Sequence, residues 1–211
     1  MLKILPTILS DCFLPINMKT QIPDLKSLLE ITDDDFYELC QKNPDVKIER
    51  SATGGLIVMS PTGGETGYRN SRLNQKLANW SDTNNLGIAF DSSTGFKLPN
   101  NANLSPDASW VRREKIDALT PEEKRKFLPV SPDFVVELRS ETDALKTLQS
   151  KMEEYMENGV RLGWLIDAKL RRVEVYRQGQ EVEILANPKT VSGEDVLPGF
   201  VLEMESIFRG L

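Results

Sequence analysis

Apolar and polar positions along the chain divide it into short elements with recognisable boundaries. Thr32 before Asp33-Asp34-Asp35 supplies an N-cap and a set of first-turn acids, predicting a short helix through Phe36, Leu39 and Cys40. Residues 47–51 and 56–60 flank Thr53-Gly54-Gly55, a hairpin signature. Pro61-Thr62-Gly63-Gly64 interrupts the pattern before a helix over about residues 65–80. At ~100° per residue its Leu73, Leu77 and Trp80 form one narrow apolar stripe. Residues 86–91 and 95–98 read as a second hairpin leading into a strand that opens at Asp107. Thr120-Pro121-Glu122-Glu123 places a capping threonine ahead of a proline at the first helical position, marking a small helix inside a loop. After the strand at 132–139, the stripe Leu145, Leu148, Met152 and Tyr155 predicts a helix over about residues 142–158, closed by Asn158-Gly159. Residues 163–167, 172–176 and 181–185 finish as a meander turning at Lys169 and Gly179. The sum is an α/β domain: a mixed sheet flanked by helices that precede and follow two acid-bearing strands.

Composition narrows the chemistry. At 211 residues the chain fits one domain, taken as 23–211, with residues 1–22 as a loosely ordered leader, read as an over-long start before Met18. Twenty-six basic residues against 32 acidic ones leave a net charge of −6. The molecule as a whole repels polyanions, so any nucleic-acid contact needs a local basic groove or a metal bridge. Cys12 and Cys40 cannot make a disulfide framework and read as reduced thiols of a cytoplasmic protein. The chain holds no histidine, which excludes Ser-His-Asp and Cys-His catalysis, histidine zinc sites and a histidine base. Acid–base work falls to Asp, Glu, Lys, Tyr or water. No apolar run approaches the ~18–20 residues of a membrane span.

The informative segments are Ser105-Pro106-Asp107-Ala108-Ser109-Trp110-Val111 and Pro132-Asp133-Phe134-Val135-Val136-Glu137-Leu138-Arg139. Each sets a carboxylate in a β-prone apolar run, where an ionised acid is costly unless paired or metal-bound. Alternation puts Asp133, Val135, Glu137 and Arg139 on one face, and Phe134, Val136 and Leu138 on the other, against a helix. Two such acids on neighbouring strands can share a divalent cation, which points to phosphoryl chemistry. A salt bridge from Glu137 to Arg139 would account for the pattern equally well, and Asp107 and Asp133 after prolines also suit turns or caps. On the following helix Lys151 lies about 60° from Leu148 and Lys146 about 160°. Lys151 therefore borders the buried face, within reach of the strand, unless it only covers apolar surface with its stem. Glu65 stands in the first turn of the earlier helix, a position the helix dipole also favours.

Taken in order, several runs carry a resemblance: residues 59–65 (Met-Ser-Pro-Thr-Gly-Gly-Glu), Ser105-Pro106-Asp107, and Pro132-Asp133-Phe134-Val135-Val136-Glu137. Lys151, Tyr155 and Gly159 at four-residue spacing with Val160 following, Trp164-Leu165-Ile166-Asp167 and residues 193–200 complete the series. From about Leu29 to Leu202 the chain resembles the Uma2 family, also called DUF820, of the PD-(D/E)xK restriction-endonuclease-like superfamily. The resemblance implies a magnesium-dependent endonuclease acting on DNA, with Mn²⁺ as a substitute ion and a homodimer as an open assembly state. It makes Asp107 and Glu137 the metal acids, aided by the Leu138 carbonyl, with Glu65 as an outer acid. Arg139 stands where the superfamily has lysine, and members of this kind are expected to use a lysine from the next helix, here Lys151. Arg69, Arg72, Arg112 and Arg113 are candidate substrate contacts. The alternative is an inactive member that keeps the fold for DNA or protein binding.

Overall fold

The protein is described from a computed structural model over residues 31–211. The leader expected over residues 1–22 lies outside the described residues. Thr32 caps α1 (Asp33–Lys42) through a reciprocal box, its hydroxyl accepting from Asp35 N while Asp35 takes the Thr32 N–H. β1 (Lys47–Arg50) and β2 (Leu56–Met59) form the expected hairpin, Lys47 opposite Met59 and Arg50 opposite Leu56. α2 (Gly64–Asn84) buries Leu73, Leu77 and Ser81 and outlasts its predicted end by one turn, stopping at Asn85 in the left-handed conformation.

β3 (Gly87–Asp91), β4 (Phe96–Lys97), β5 (Asn103–Leu104) and β6 (Ala108–Arg112) follow, then α3 (Arg113–Asp117), a short helix the sequence pattern does not announce. The expected loop helix is a single 3-10 turn at Glu123–Arg125, boxed by Thr120 and Glu123. β7 (Phe134–Leu138), α4 (Leu145–Glu157), β8 (Leu162–Asp167), β9 (Arg172–Arg177) and β10 (Glu183–Ala186) realise the acidic strand, its helix and the meander. β11 (Thr190–Ser192), β12 (Val201–Glu203) and α5 (Glu205–Phe208) complete the chain. Among the described residues no helix is long and apolar enough to cross a membrane.

The main sheet runs β10-β9-β8-β7-β6-β3. Every neighbouring pair is antiparallel except β7–β8, which α4 joins as a crossover. The second predicted hairpin does not form. Asp91 accepts from the backbone N–H and hydroxyl of Ser93, turning the chain out of the sheet. β3 pairs instead with β6, setting Ile88 against Val111 and Ala89 against Trp110, while β4 joins β2, β1 and β5 in a four-stranded sheet.

β7 is buried along its whole length. Phe134, Val136 and Leu138 share a core with Leu73, Leu77, Trp110, Trp164 and Phe200 on the α2 side. Val135 packs with Leu148, Met152 and Tyr155 on the α4 side. Both faces are thus covered, rather than one, and Glu137 lies beneath α4. The α2 side is closed by a tight approach at Gly87, where a Cβ would sit 2.3 Å from the Val111 carbonyl oxygen and 2.4 Å from the Trp110 ring. Ser81 ties this corner, donating to Gly87 O and accepting from Trp110 Nε1, both at 3.1 Å.

Because the obstacles at Gly87 are backbone and a buried indole, Gly87→Ala should destabilise the protein by about 2–3 kcal/mol. The corresponding fall in Tm is roughly 5–10 °C by thermal unfolding. An unchanged Tm would contradict the close packing of β3 on β6.

Candidate active site at the parting of two strands

The β6–β7 ladder ends at the pair Ala108–Val136. One step further the register would set Asp107 opposite Glu137 and Pro106 opposite Leu138. Pro106 has no N–H to continue the ladder. The Asp107 side chain takes over: its Oδ2 accepts the Leu138 N–H at 2.8 Å. From α2, Asn70 Nδ2 donates to Asp107 Oδ1 at 3.2 Å, and Asn74 Nδ2 donates to the Asp107 carbonyl oxygen at 2.9 Å. Asn70 and Asn74 are one helical turn apart, so one face of α2 fixes this aspartate. The Asn70 side-chain amide oxygen, Oδ1, is buried and has no partner among the described residues.

Glu137 is buried on the opposite side of the gap, 4% exposed. Lys151 Nζ lies 2.8 Å from its Oε1, and the Tyr155 hydroxyl donates to the same oxygen at 3.1 Å. Lys151 and Tyr155 are i and i+4 on α4, which is how one helix face delivers both. Lys151 does border the buried face, and Lys146 is exposed, as the helical phase predicts. The lysine has a second partner that sequence reasoning missed. Glu49, from β1, sits 2.9 Å from Lys151 Nζ through Oε1, and that oxygen also accepts the Ser105 N–H at 2.8 Å. Glu49 is 3% exposed and 102 positions from Lys151. Nothing local distinguishes it, since Lys47-Ile48-Glu49-Arg50 reads only as one arm of a hairpin.

Glu137 and Lys151 are thus in contact, Asp107 is close enough to act on Glu137 through its charge, and the further acid on Lys151 is Glu49 rather than Glu65. Glu65 is exposed and pairs with Arg69 at 2.8 Å, while Arg69 Nε donates to Ile207 O. Five positions before Asn70, Glu65 points about 140° away round α2. Arg139 is also committed elsewhere, bonding Asp167 Oδ2 at 2.6 Å and the Asp143 carbonyl at 3.1 Å. Burial alone would push Asp167 up, but the Leu170 N–H and the Arg139 guanidinium hold its carboxyl below the ordinary value. Asp133 is structural: its buried carboxylate accepts the Arg112 N–H at 3.0 Å and pairs with Lys115 at 3.1 Å. The other nominated bases are engaged too, Arg112 with Asp133 and Glu114, Arg113 with Asn85, and Arg72 with Gln75.

The sequence matches the Uma2 family, described as "Putative restriction endonuclease", over residues 33–205. The chain belongs to the Uma2 family. A solved structure of a protein described as a putative nuclease belonging to DUF820, from Anabaena variabilis ATCC 29413, superposes with a TM-score of 0.71 at 22% identity. The match covers 85% of this chain and 98% of that one, and establishes a restriction-endonuclease-like fold. No curated protein matches. In this Uma2 chain, then, the cluster of Asp107, Glu137, Glu49 and Lys151 sits where two neighbouring strands of a nuclease-like sheet separate.

Three carboxylates against one ammonium leave two negative charges uncompensated in a largely buried place. Without a bound cation, proton uptake by the buried Glu137 is favoured. Burial, opposed by Lys151 and reinforced by Asp107 and Glu49, pushes the Glu137 carboxyl up to about 7. Lys151 is raised above its ordinary value, since Glu137 and Glu49 more than offset its burial, so it stays an ammonium. Tyr155 is raised by burial and by the same two acids, and stays a phenol.

A carboxyl whose pKa is higher folded than unfolded favours folding when protonated. That contribution is complete below the ordinary value of 4.5 and is lost as pH rises through about 7. Metal-free protein should therefore lose up to about 3 kcal/mol from this source between acid and mildly alkaline pH. Glu137→Gln removes the slope. Denaturant unfolding in EDTA across that range checks it, and an identical pH dependence in wild type and variant would refute the assignment.

Proposed function

We propose that this protein is a magnesium-dependent endonuclease that hydrolyses DNA phosphodiester bonds. The observation that carries the reading is the under-neutralised cluster of Asp107, Glu137 and Glu49 around one lysine, at the open ends of β6 and β7. Its donors are hard carboxylate oxygens, which suit magnesium or manganese. The residual charge of two equals that of one divalent cation. The unpartnered Asn70 side-chain Oδ1 beside Asp107 offers a further acceptor. Among the described residues no three acidic or thiol side chains gather into a ready-made cage, because Lys151 stands between Glu49 and Glu137. Magnesium is commonly held by one or two carboxylates with waters and substrate phosphate.

Asp107 and Glu137 would hold the ion. Leu138 would add its carbonyl, which in an extended strand points to the same side as the N–H that meets Asp107. When bound, the ion supplies Lewis-acid polarisation of a phosphoryl oxygen and a more acidic water. Asp107 is fixed for this task by Leu138 and Asn70, and Glu137 by Tyr155. Lys151, held as an ammonium, acts through its charge: it orients water between the two glutamates and stabilises charge developing on phosphorus. Arg139 anchors the β7 end on Asp167 and takes no part in the chemistry.

Asp107→Asn and Glu137→Gln should each abolish magnesium-dependent cleavage of DNA while the far-ultraviolet circular dichroism spectrum stays native. Lys151→Arg keeps the charge but cannot fit a planar fork between two oxygens spaced for a compact ammonium. Its single-turnover rate at saturating magnesium should fall about 10²-fold, whereas Arg139→Lys should stay within a few-fold of wild type. Full activity in Lys151→Arg with a dead Arg139→Lys would reverse the two roles. Magnesium binding without cleavage of any single- or double-stranded substrate would instead favour a non-catalytic module.

A further inference from the structure

The nuclease reading leaves unanswered how an acidic protein holds a polyanion beside three carboxylates. Of the arginines nominated from sequence, Arg69 and Arg112 are committed to ion pairs, and Arg72 and Arg113 bond Gln75 and Asn85 rather than any residue of the cluster. A different base faces the cluster. Lys47 and Glu49 are two positions apart on β1 and project from the same face. Both clasp Ser105: Glu49 Oε1 accepts its N–H at 2.8 Å, and Lys47 Nζ donates to its carbonyl at 3.0 Å. Ser105 is followed by Pro106 and Asp107, so the Lys47 ammonium lies against the segment that delivers the metal-binding aspartate.

Lys47 is half-buried and makes no ion pair among the described residues, although several other half-buried bases have an acid. It stands at the last pair of the β1–β2 hairpin, opposite Met59, where the chain opens into the exposed loop 60–63. One hydrogen bond to a neutral carbonyl leaves the other ammonium hydrogens directed away from Ser105.

We infer that Lys47 is a phosphate anchor, gripping the substrate strand next to the carboxylate cluster; the assignment rests on the nuclease reading above. Charge balance supports it. Three carboxylates, the Lys151 ammonium and one divalent ion sum to zero. A phosphodiester adds one negative charge, which Lys47 cancels. Placed on the same strand as Glu49, the anchor is rigidly spaced from the cluster, so that gripping a phosphate also sets its position relative to Asp107.

The test is DNA binding by the full chain, read by fluorescence anisotropy on single- and double-stranded oligonucleotides over a salt series. Calcium replaces magnesium, and strand integrity is checked on a gel. Lys47→Gln should bind about 10-fold more weakly at low salt, and the slope of log affinity against log salt should shrink by about 0.7–0.9, the share of one phosphate contact. Lys47→Arg should restore the slope. Magnesium affinity by calorimetry should match wild type in both variants, showing that the carboxylate cluster is intact. A Lys47→Gln protein with the wild-type slope overturns the inference, whether affinity is kept or lost, since loss at constant slope marks a purely structural tie to Ser105. Absence of DNA binding by wild type would overturn the nuclease reading itself, a result separable from failure of the anchor alone.

Discussion

A single ammonium shared by two buried glutamates holds this site in being. Lys151 reaches from α4 to Glu137 and from there to Glu49, linking the sheet, the helix and the N-terminal hairpin. Taking such charges out of water costs several kcal/mol per ion, and their mutual attraction returns that only when the geometry is good. Here it is good but incomplete. Burial of Glu137, reinforced by Asp107 and Glu49, outweighs the one ammonium it shares with Glu49 and raises its proton affinity.

Another buried acid on the same sheet shows what a satisfied carboxylate looks like. Register runs from Glu137 to Leu165 and on to Glu174, all on the α4 side. Glu174 is 2% exposed and receives the Arg172 guanidinium, the Gln149 amide and the Tyr176 hydroxyl, all between 2.6 and 3.1 Å. Its charge is matched and its oxygens are filled. The cluster at Asp107 differs in the one respect that matters for chemistry: it retains unmet negative charge at a place where the sheet has opened.

That opening follows from local covalent facts. Pro106 cannot donate to β7, so the ladder stops, and the freed Leu138 N–H is used to aim Asp107. Two asparagines one turn apart on α2 then lock the aspartate from the other side. Burial of β7 on both faces brings α4 down over Glu137 and gives Lys151 and Tyr155 a common target. Arg139, one residue past the strand end and on the same nominal face as Glu137, is drawn instead to Asp167 across the parallel β7–β8 edge.

Much of this was legible in the residues. Capping at Thr32, the hairpin at Gly54, the helix stripes and the meander are local signals of period and turn chemistry, which any fold must respect. The phase of Lys151 relative to Leu148 also fixed which lysine of α4 could meet the strand. Other features depended on partners distant in sequence. Whether β3 pairs with β4 or β6 is a competition between two ladders, settled by apolar contacts with Val111 and Trp110 that no local pattern encodes. Glu49 carries no signature of its own; it becomes a site residue only because the hairpin folds onto Ser105 and Lys151. Glu65 and Arg139 look like site residues by motif position, yet helix rotation and a competing aspartate turn them away. The sequence by itself determined most of the elements, because those follow from backbone periodicity, and singled out Asp107 and Glu137 as candidates through the cost of charge in an apolar strand, with the family resemblance choosing between site and salt bridge. Only the tertiary structure decided which charges meet, because electrostatic pairing depends on distance in space, to which separation along the chain is no guide.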